Sequence, residues 1–188
     1  MKTRILLLLL LASLLVYGYP AVQPVLAEAS VQVAQPQWEQ FSSREGGFTV
    51  LMPVKPIEKR QATNSENLPI EANQFTAALE EGKVTYSVSY TNFPSEFAQF
   101  PPNILLDSLS SRFTTDKRLK LLNQQDISLD RHPGKEFKLE TPGETIVIYR
   151  AYLVEQRLYQ LIAEIPKARE TALSSETERF LGSFQLLK

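Results

Sequence analysis

The sequence predicts an α+β domain, an α/β/α sandwich in which helices flank an antiparallel β-sheet of about seven to nine strands. Three observations support this prediction. Short apolar-rich runs follow one another between turn signals, which is typical of antiparallel strands. Two segments, at 101–113 and 173–187, change to helical spacing. The runs at 145–154 and 158–165 are apolar on both faces, which indicates that both faces of the sheet are covered at its centre.

The strands before the first helix are predicted to form two hairpins and an edge strand. WEQFSS and FTVLMP are separated by Gly46 and Gly47, which tolerate the positive φ values of a tight turn. VKPIEKRQ is predicted to be an edge strand, because Pro53 and Pro56 lack ladder donors. IEANQFTAALE and VTYSVSYTNF form the second hairpin, whose later strand has a core face and a wetter face. The core face comprises Val84, Tyr86, Val88 and Tyr90, and the wetter face comprises Thr85, Ser87, Ser89 and Thr91.

The first predicted helix begins near Pro102 and Asn103, which are start signals. Its apolar residues at helical spacing are Leu105, Leu106, Leu109 and Phe113. Four further strand-like runs follow, LKLLNQQDISLD, KEFKLE, TIVIYRAYLV and LYQLIAEI, divided by HPG, TPGE and EQR. The order before the last helix is therefore five strands, a helix and four strands.

The C-terminal segment predicts a second amphipathic helix, available for the other face of the sheet. Ser175 and Glu178 have the spacing of a capping box at its start. Its apolar stripe comprises Leu173, Thr177, Phe180, Leu181 and Phe184.

The N-terminus has the layout of a secretory signal peptide at 1–27. Lys2 and Arg4 precede an apolar run from Ile5 to Val16, and Ala27 ends a small-residue cleavage site. A retained anchor is the alternative, but the run is shorter than the roughly 20 residues of a spanning helix. We expect a flexible leader at 28–37, a single domain at 38–188 and no stable membrane span after cleavage.

Composition limits the function classes. The chain has 188 residues and no cysteine, which excludes a lipid anchor on cysteine and stabilisation by disulfides. Cleavage removes Lys2 and Arg4 and no acidic residue, so the net charge falls from −1 to −3. Such a chain is not expected to bind nucleic acid. We expect an extracytoplasmic location, in the periplasm or secreted, or in the thylakoid lumen if the source is photosynthetic.

Several phrases together resemble the PsbP/Mog1/DcrB superfamily of small α/β/α sandwich proteins. They are WEQFSSREGGFTVLMPVKP, HPGKEF, the long apolar hairpin IYRAYLVEQRLYQL and the terminal RFLGSFQLL, and the resemblance covers about Trp38 to Leu187. It implies an exported accessory protein without enzymatic activity, acting with a membrane-associated complex. The PsbP branch is similar in fold to a lumenal subunit that attaches to photosystem II and helps retain its calcium and chloride. The superfamily resemblance does not carry that photosystem role to this chain.

The only histidine lies in DRHPGKEF, where three readings compete. Pro133 and Gly134 favour a type II turn with positive φ at Gly134. Asp130, His132 and Glu136 could in principle converge on a metal, but a transition-metal site normally needs three or four ligands in fixed geometry, and the chain has no second histidine and no thiol. A hydrolase around His132 would need a nucleophilic serine, and no nucleophile elbow is present. We therefore predict a turn, with no catalytic residue, metal or cofactor.

Arg150 shares a strand face with Ile146, Ile148 and Tyr152, which predicts a partly buried guanidinium. A buried charge needs a partner. The candidate partners on neighbouring strands are Glu136, Glu140 and Glu164. The structural interpretation is an ion pair, and the functional alternative is an anion site; His132, Glu136 and Arg150 are thus the candidate polar site.

Phe93, Phe97 and Phe100 lie in a proline-bounded connector and are the candidate partner surface. The alternative is that these rings cap the core, because aromatic residues are usually buried. A second function hypothesis is a carrier of a small apolar ligand, in a cleft between sheet and helix lined by Tyr86, Tyr90 and the Leu105 helix.

Overall fold

The computed structural model describes residues 36–65, 68–95 and 100–187. Its two helices are α1 (Pro102–Thr115) and α2 (Ser174–Gly182). The strands, in chain order, are β1 (Glu39–Ser43), β2 (Phe48–Met52), β3 (Ile57–Ser65), β4 (Leu68–Leu79), β5 (Val84–Asn92), β6 (Lys120–Leu129), β7 (His132–Glu140), β8 (Thr145–Val154), β9 (Arg157–Pro166) and β10 (Gln185–Leu186). Seven strands form an antiparallel sheet in the order β3-β4-β5-β9-β8-β7-β6, and a smaller sheet has the order β1-β2-β10. The predicted fold class is confirmed, including the edge position of β3.

One helix packs on each face of the seven-stranded sheet, as the sequence predicts. α1 lies over β6, β7 and β8, where Leu109 and Phe113 are buried with Tyr149. The three-stranded sheet and α2 cover the opposite face, where Phe180 is buried with Tyr86. Alternate residues of the central strands β8 and β9 enter the two cores, which explains why these strands are apolar on both faces.

The first hairpin forms as predicted but belongs to the separate small sheet. β1 and β2 pair antiparallel, and β10 adds to the other edge of β2. Phe48, Val50 and Met52 point from β2 into the core shared with the large sheet. Burying this apolar face requires the hairpin to stack on the large sheet instead of extending it. The two-residue β10 was not predicted.

The Arg157 side chain connects the small sheet to the start of β9. Its guanidinium donates to the carbonyl of Gly46 at 2.8 Å and lies 5.0 Å from the centre of the Tyr90 ring. The Tyr159 hydroxyl donates to the same carbonyl at 2.6 Å. Only Gly47 of the two turn glycines has positive φ, at 68°. The turn is thus held by side chains of the large sheet.

The predicted type II turn at Pro133 and Gly134 is wrong. Both residues lie within β7, and the turn consists of Asp130 and Arg131, with Asp130 at φ 53°. Gly134 is not among the positive-φ residues. A glycine fits this position for a steric reason instead, because an added Cβ would lie 2.4 Å from the Ala151 carbonyl oxygen and 2.6 Å from Cδ1 of Tyr152.

The predicted capping box at the start of α2 is also wrong. No side chain caps this helix, and the Ser175 hydroxyl donates to Glu176 at 2.8 Å. Glu178 points instead towards Arg150 on β8, at 3.2 Å. The acidic residue that fits the capping spacing therefore connects the helix to the sheet.

Two predictions concern the N-terminus. The signal peptide at 1–27 lies outside the described residues, and only Pro36 and Gln37 of the leader at 28–37 lie within them. None of the helices in the described ranges combines the length and apolar character needed to cross a membrane.

Candidate functional site

Phe93, which the sequence assigned to a candidate partner surface, lies in the core. This side chain is 8% exposed and belongs to the core beneath α1. Phe100 is partly buried against the same core, and Phe97 lies outside the described residues. A ring inside the core cannot contact a partner, so Phe93 has the core-capping role that the sequence offered as the alternative.

Arg150 forms the predicted ion pair with Glu136. The guanidinium Nε donates to the carboxylate, and each side chain is 15% exposed. Glu136 also accepts from Gln125 at 2.7 Å, while Arg150 reaches Glu178 on α2. Burial alone would lower the pKa of Arg150, but the hydrogen bond and charge of Glu136 raise it above its ordinary value. The pair ties β7 and β8 to α2, and both groups are engaged.

His132 does not join this ion pair. It shares the face of β7 with Glu136, but the two lie four positions apart, which is roughly 13 Å along a strand. His132 is half-buried and pairs across the hairpin with Leu129. Within the described ranges, no three or more His, Cys, Asp or Glu side chains are grouped as a metal ion would require.

The proposed carrier cleft is not formed between α1 and the sheet. Tyr86 and Tyr90 belong to the core on the face of α2, whereas Leu105 is part of α1 and packs against the core on the other face. The space beneath α1, lined by Phe113 and Tyr149 among others, measures about 20 Å³. A cavity of this size holds about one water molecule, so an apolar ligand does not fit.

The sheet face beside α1 carries hydrogen-bonded polar side chains. Ser89 donates to Gln160 at 3.1 Å, and Gln160 donates to the Tyr149 hydroxyl. Thr85 donates to Glu164 at 2.7 Å. Burial raises the pKa of Tyr149 above its ordinary range. This face was predicted to be the wetter one, but Ser87, Ser89 and Thr91 are buried. Hydrogen bonds with Thr76 and Gln160 satisfy the hydroxyls of Ser87 and Ser89, as burial requires.

An open groove of about 590 Å³ lies where β1 begins and β2 ends. It is lined by residues 36–37, 39–41 and 52–56. Phe41 and Met52 belong to the core layer, so they form its apolar floor. Pro36, Pro53, Val54 and Pro56 supply apolar walls. No sequence pattern indicated this groove, although Pro53 and Pro56, which predicted an edge strand, form part of its wall.

Trp38 fixes the start of β1 next to this groove. Its ring packs edge-on against Tyr86 with centroids 5.5 Å apart, and the Arg179 guanidinium lies 5.3 Å from the ring centre. The groove residues on either side of Trp38, Gln37 and Glu39, are exposed. The groove is therefore attached to the core through a buried aromatic contact, while its rim faces solvent.

Comparison with protein-family models finds no match, and comparison with curated proteins also finds none. Among solved structures, the solution structure of cyanobacterial PsbP (CyanoP) from Synechocystis sp. PCC 6803 matches with a TM-score of 0.55 and 15% identity, over 87% of this chain and 99% of that chain. PA94 of Pseudomonas aeruginosa, a protein of unknown function, matches with a TM-score of 0.44 and 10% identity, over 75% and 91% of the two chains. LpqN of Mycobacterium tuberculosis, involved in cell envelope biogenesis, matches with a TM-score of 0.44 and 12% identity, over 80% and 79%. The likeness to cyanobacterial PsbP shows the fold: this chain has the PsbP-like sandwich that its sequence resemblance predicts.

Proposed function

We propose that this chain is an exported, non-enzymatic accessory protein that attaches to a membrane-associated protein complex through the groove at β1 and β2. The observation that carries the proposal is the groove itself, which is wide, apolar and open. Its rim includes Val54, which is 39% exposed, and the adjacent Ile57 is 76% exposed. Exposed apolar residues grouped around a concavity are typical of an interaction site.

The chemistry of the other polar groups supports a non-enzymatic role. Arg150 and Glu136 neutralise each other in a pair that joins sheet and helix. A catalytic acid or base needs a free proton-transfer position within reach of a substrate. Neither group of the pair has one.

The fold likeness and the predicted signal peptide support export to the periplasm or, in a photosynthetic source, the thylakoid lumen.

The docking surface is tested with two substitutions at equally exposed positions. Val54 on the groove and Leu122 on β6 are each 39% exposed. We expect Val54→Asp to reduce capture of partner from solubilised envelope at least tenfold, because a carboxylate on the wall opposes apolar docking. Leu122→Asp is the control and should capture the same partner as the parent. Equal capture by both variants would contradict the assignment of the groove.

Export is tested separately by intact mass. The exported chain should begin at Glu28, because the small-residue cleavage site ends at Ala27. A mass that still includes residues 1–27 would show a retained anchor instead. This measurement does not depend on the groove.

A further inference from the structure

Among the described strands, β1 lies at the edge of the small sheet, and its outward backbone groups can be assigned. Leu51 on β2 donates its N–H to the Ser183 hydroxyl at 2.8 Å, which lies on the side of β10. Leu51 is paired with Gln40 on β1. In an antiparallel ladder, opposite residues either exchange both backbone hydrogen bonds or neither. Gln40 therefore directs its own N–H and C=O to the open edge of β1, and so does Ser42, two residues along.

Gln40 also lines the groove, so the outward backbone groups of β1 and the groove lie at the same place. Gln40 thus combines an outward backbone donor and acceptor with a position in the lining of an apolar-walled groove. Unpaired edge groups of this kind are a template for an added strand. A volume of about 590 Å³ is within the range of ligand pockets, which is about 300–1,000 Å³.

The charges at the groove restrict what it can accept. Glu39 and Lys55 are the charged residues in its lining, and they have opposite signs. The groove thus carries no net charge and favours neither a strongly acidic nor a strongly basic segment. Its remaining walls are dominated by proline and aliphatic or aromatic surface. The charge and the surface of the groove together match an extended partner segment that carries little charge.

We propose that the groove binds an extended, uncharged segment of a partner protein, rich in aliphatic residues, which adds as a strand to the open edge of β1. Main-chain hydrogen bonds to Gln40 supply affinity, and the groove walls select alternate side chains. This inference rests on the docking function proposed above and names its partner chemistry.

The test uses the exported chain and a display library of twelve-residue peptides. The most enriched peptide is synthesised, and its dissociation constant is measured for the parent and for variants. Gln40→Pro removes the outward N–H, and proline is tolerated on an edge strand where no ladder bond is lost. We expect at least tenfold weaker binding. Gln40→Ala is the matched control, because it keeps the N–H and removes only the side chain; its binding should stay within twofold of the parent.

The outcomes separate this inference from the docking function. If Gln40→Pro binds like the parent while Val54→Asp binds at least tenfold more weakly, strand addition is wrong and the groove is still the docking surface. If Val54→Asp also binds like the parent, the groove is not used at all. A library without any binder, or one whose binders are highly charged, would likewise overturn the inference.

A second measurement covers the case in which Gln40→Pro lowers the melting temperature. The enriched peptide is N-methylated one residue at a time and measured against the parent protein. Because an added strand alternates its backbone direction, methylation at one position should weaken binding at least tenfold, and methylation at its neighbours should not. Uniform tolerance along the peptide would refute strand addition.

Discussion

Adding a side chain at Gly134 should destabilise the fold for a steric reason and not for a conformational one. An ideal Cβ there lies 2.4 Å from the Ala151 carbonyl oxygen and 2.6 Å from Cδ1 of Tyr152. Both distances are far below van der Waals contact, so β7 or the Tyr152 ring must move. The ring is stacked on Phe184 with planes 4° apart and centroids at 6.2 Å, which ties the movement to the small-sheet core.

The expected loss of unfolding free energy is the sum of two contributions. Overpacking a well-packed site costs about 1–3 kcal/mol. Displacing Tyr152 from Phe184 adds the loss of an aromatic contact, about 0.5–1.5 kcal/mol. We therefore expect Gly134→Ala to lower the free energy of unfolding by about 1.5–4.5 kcal/mol, measured by urea denaturation. Gly182→Ala is the control, because no heavy atom lies within 4 Å of its added Cβ. It should be neutral or stabilising.

A third substitution distinguishes the steric reason from the turn that the sequence predicted. Asparagine tolerates positive φ better than alanine does, so a left-handed turn position would accept Gly134→Asn more readily than Gly134→Ala. The close approach of β8 makes the larger asparagine at least as damaging. A urea midpoint for Gly134→Asn above that of Gly134→Ala, or a parental midpoint for both, would refute the steric reasoning.

Three further predictions concern stability. Leu109→Ala and Phe180→Ala should each reduce the free energy of unfolding by about 2–5 kcal/mol in urea titrations, because both are helix side chains that are fully buried in the core. Hydrogen bonds from the side chain and backbone of Arg118 lower the pKa of the Asp116 carboxyl to about 2. The stabilisation by Asp116 should thus be present above its ordinary pKa and be lost as the pH falls through about 2; NMR titration should show Arg118→Ala returning that pKa towards its ordinary value. Glu155 turns between β8 and β9 at φ 54°, so Glu155→Gly should raise the thermal midpoint by relieving about 1 kcal/mol of strain; an unchanged or lower midpoint would count against that strain.

Local patterns predicted much of the fold because they depend on neighbours in sequence. Alternation in β5 identified Val84 and Tyr86 as core residues, and helical spacing identified Leu109 and Phe113. These periods follow directly from strand and helix geometry. The partner of Arg150 was also among the candidates, because residues on one sheet face are limited in number.

The features that sequence patterns missed depend on contacts between distant segments. β10 is two residues long, too short for a period, and exists because β2 offers an edge. Periodicity separates the two faces of β5 but does not assign a helix to each, so Tyr86 was placed beneath the wrong helix. The groove combines residues 36–41 with 52–56, and no single stretch of sequence contains it.

The small sheet joins the beginning and the end of the described fold. β1 and β2 come first, β10 comes last, and the hydrogen bond from Leu51 to Ser183 closes a separation of 132 residues. A chain that emerges from the ribosome N-terminus first therefore cannot complete the small sheet until its final strand has been synthesised. Until β10 is in place, the core around Phe48 and Val50 is incomplete. The core layer on the α2 face is therefore completed only after the whole seven-stranded sheet beneath it has been synthesised.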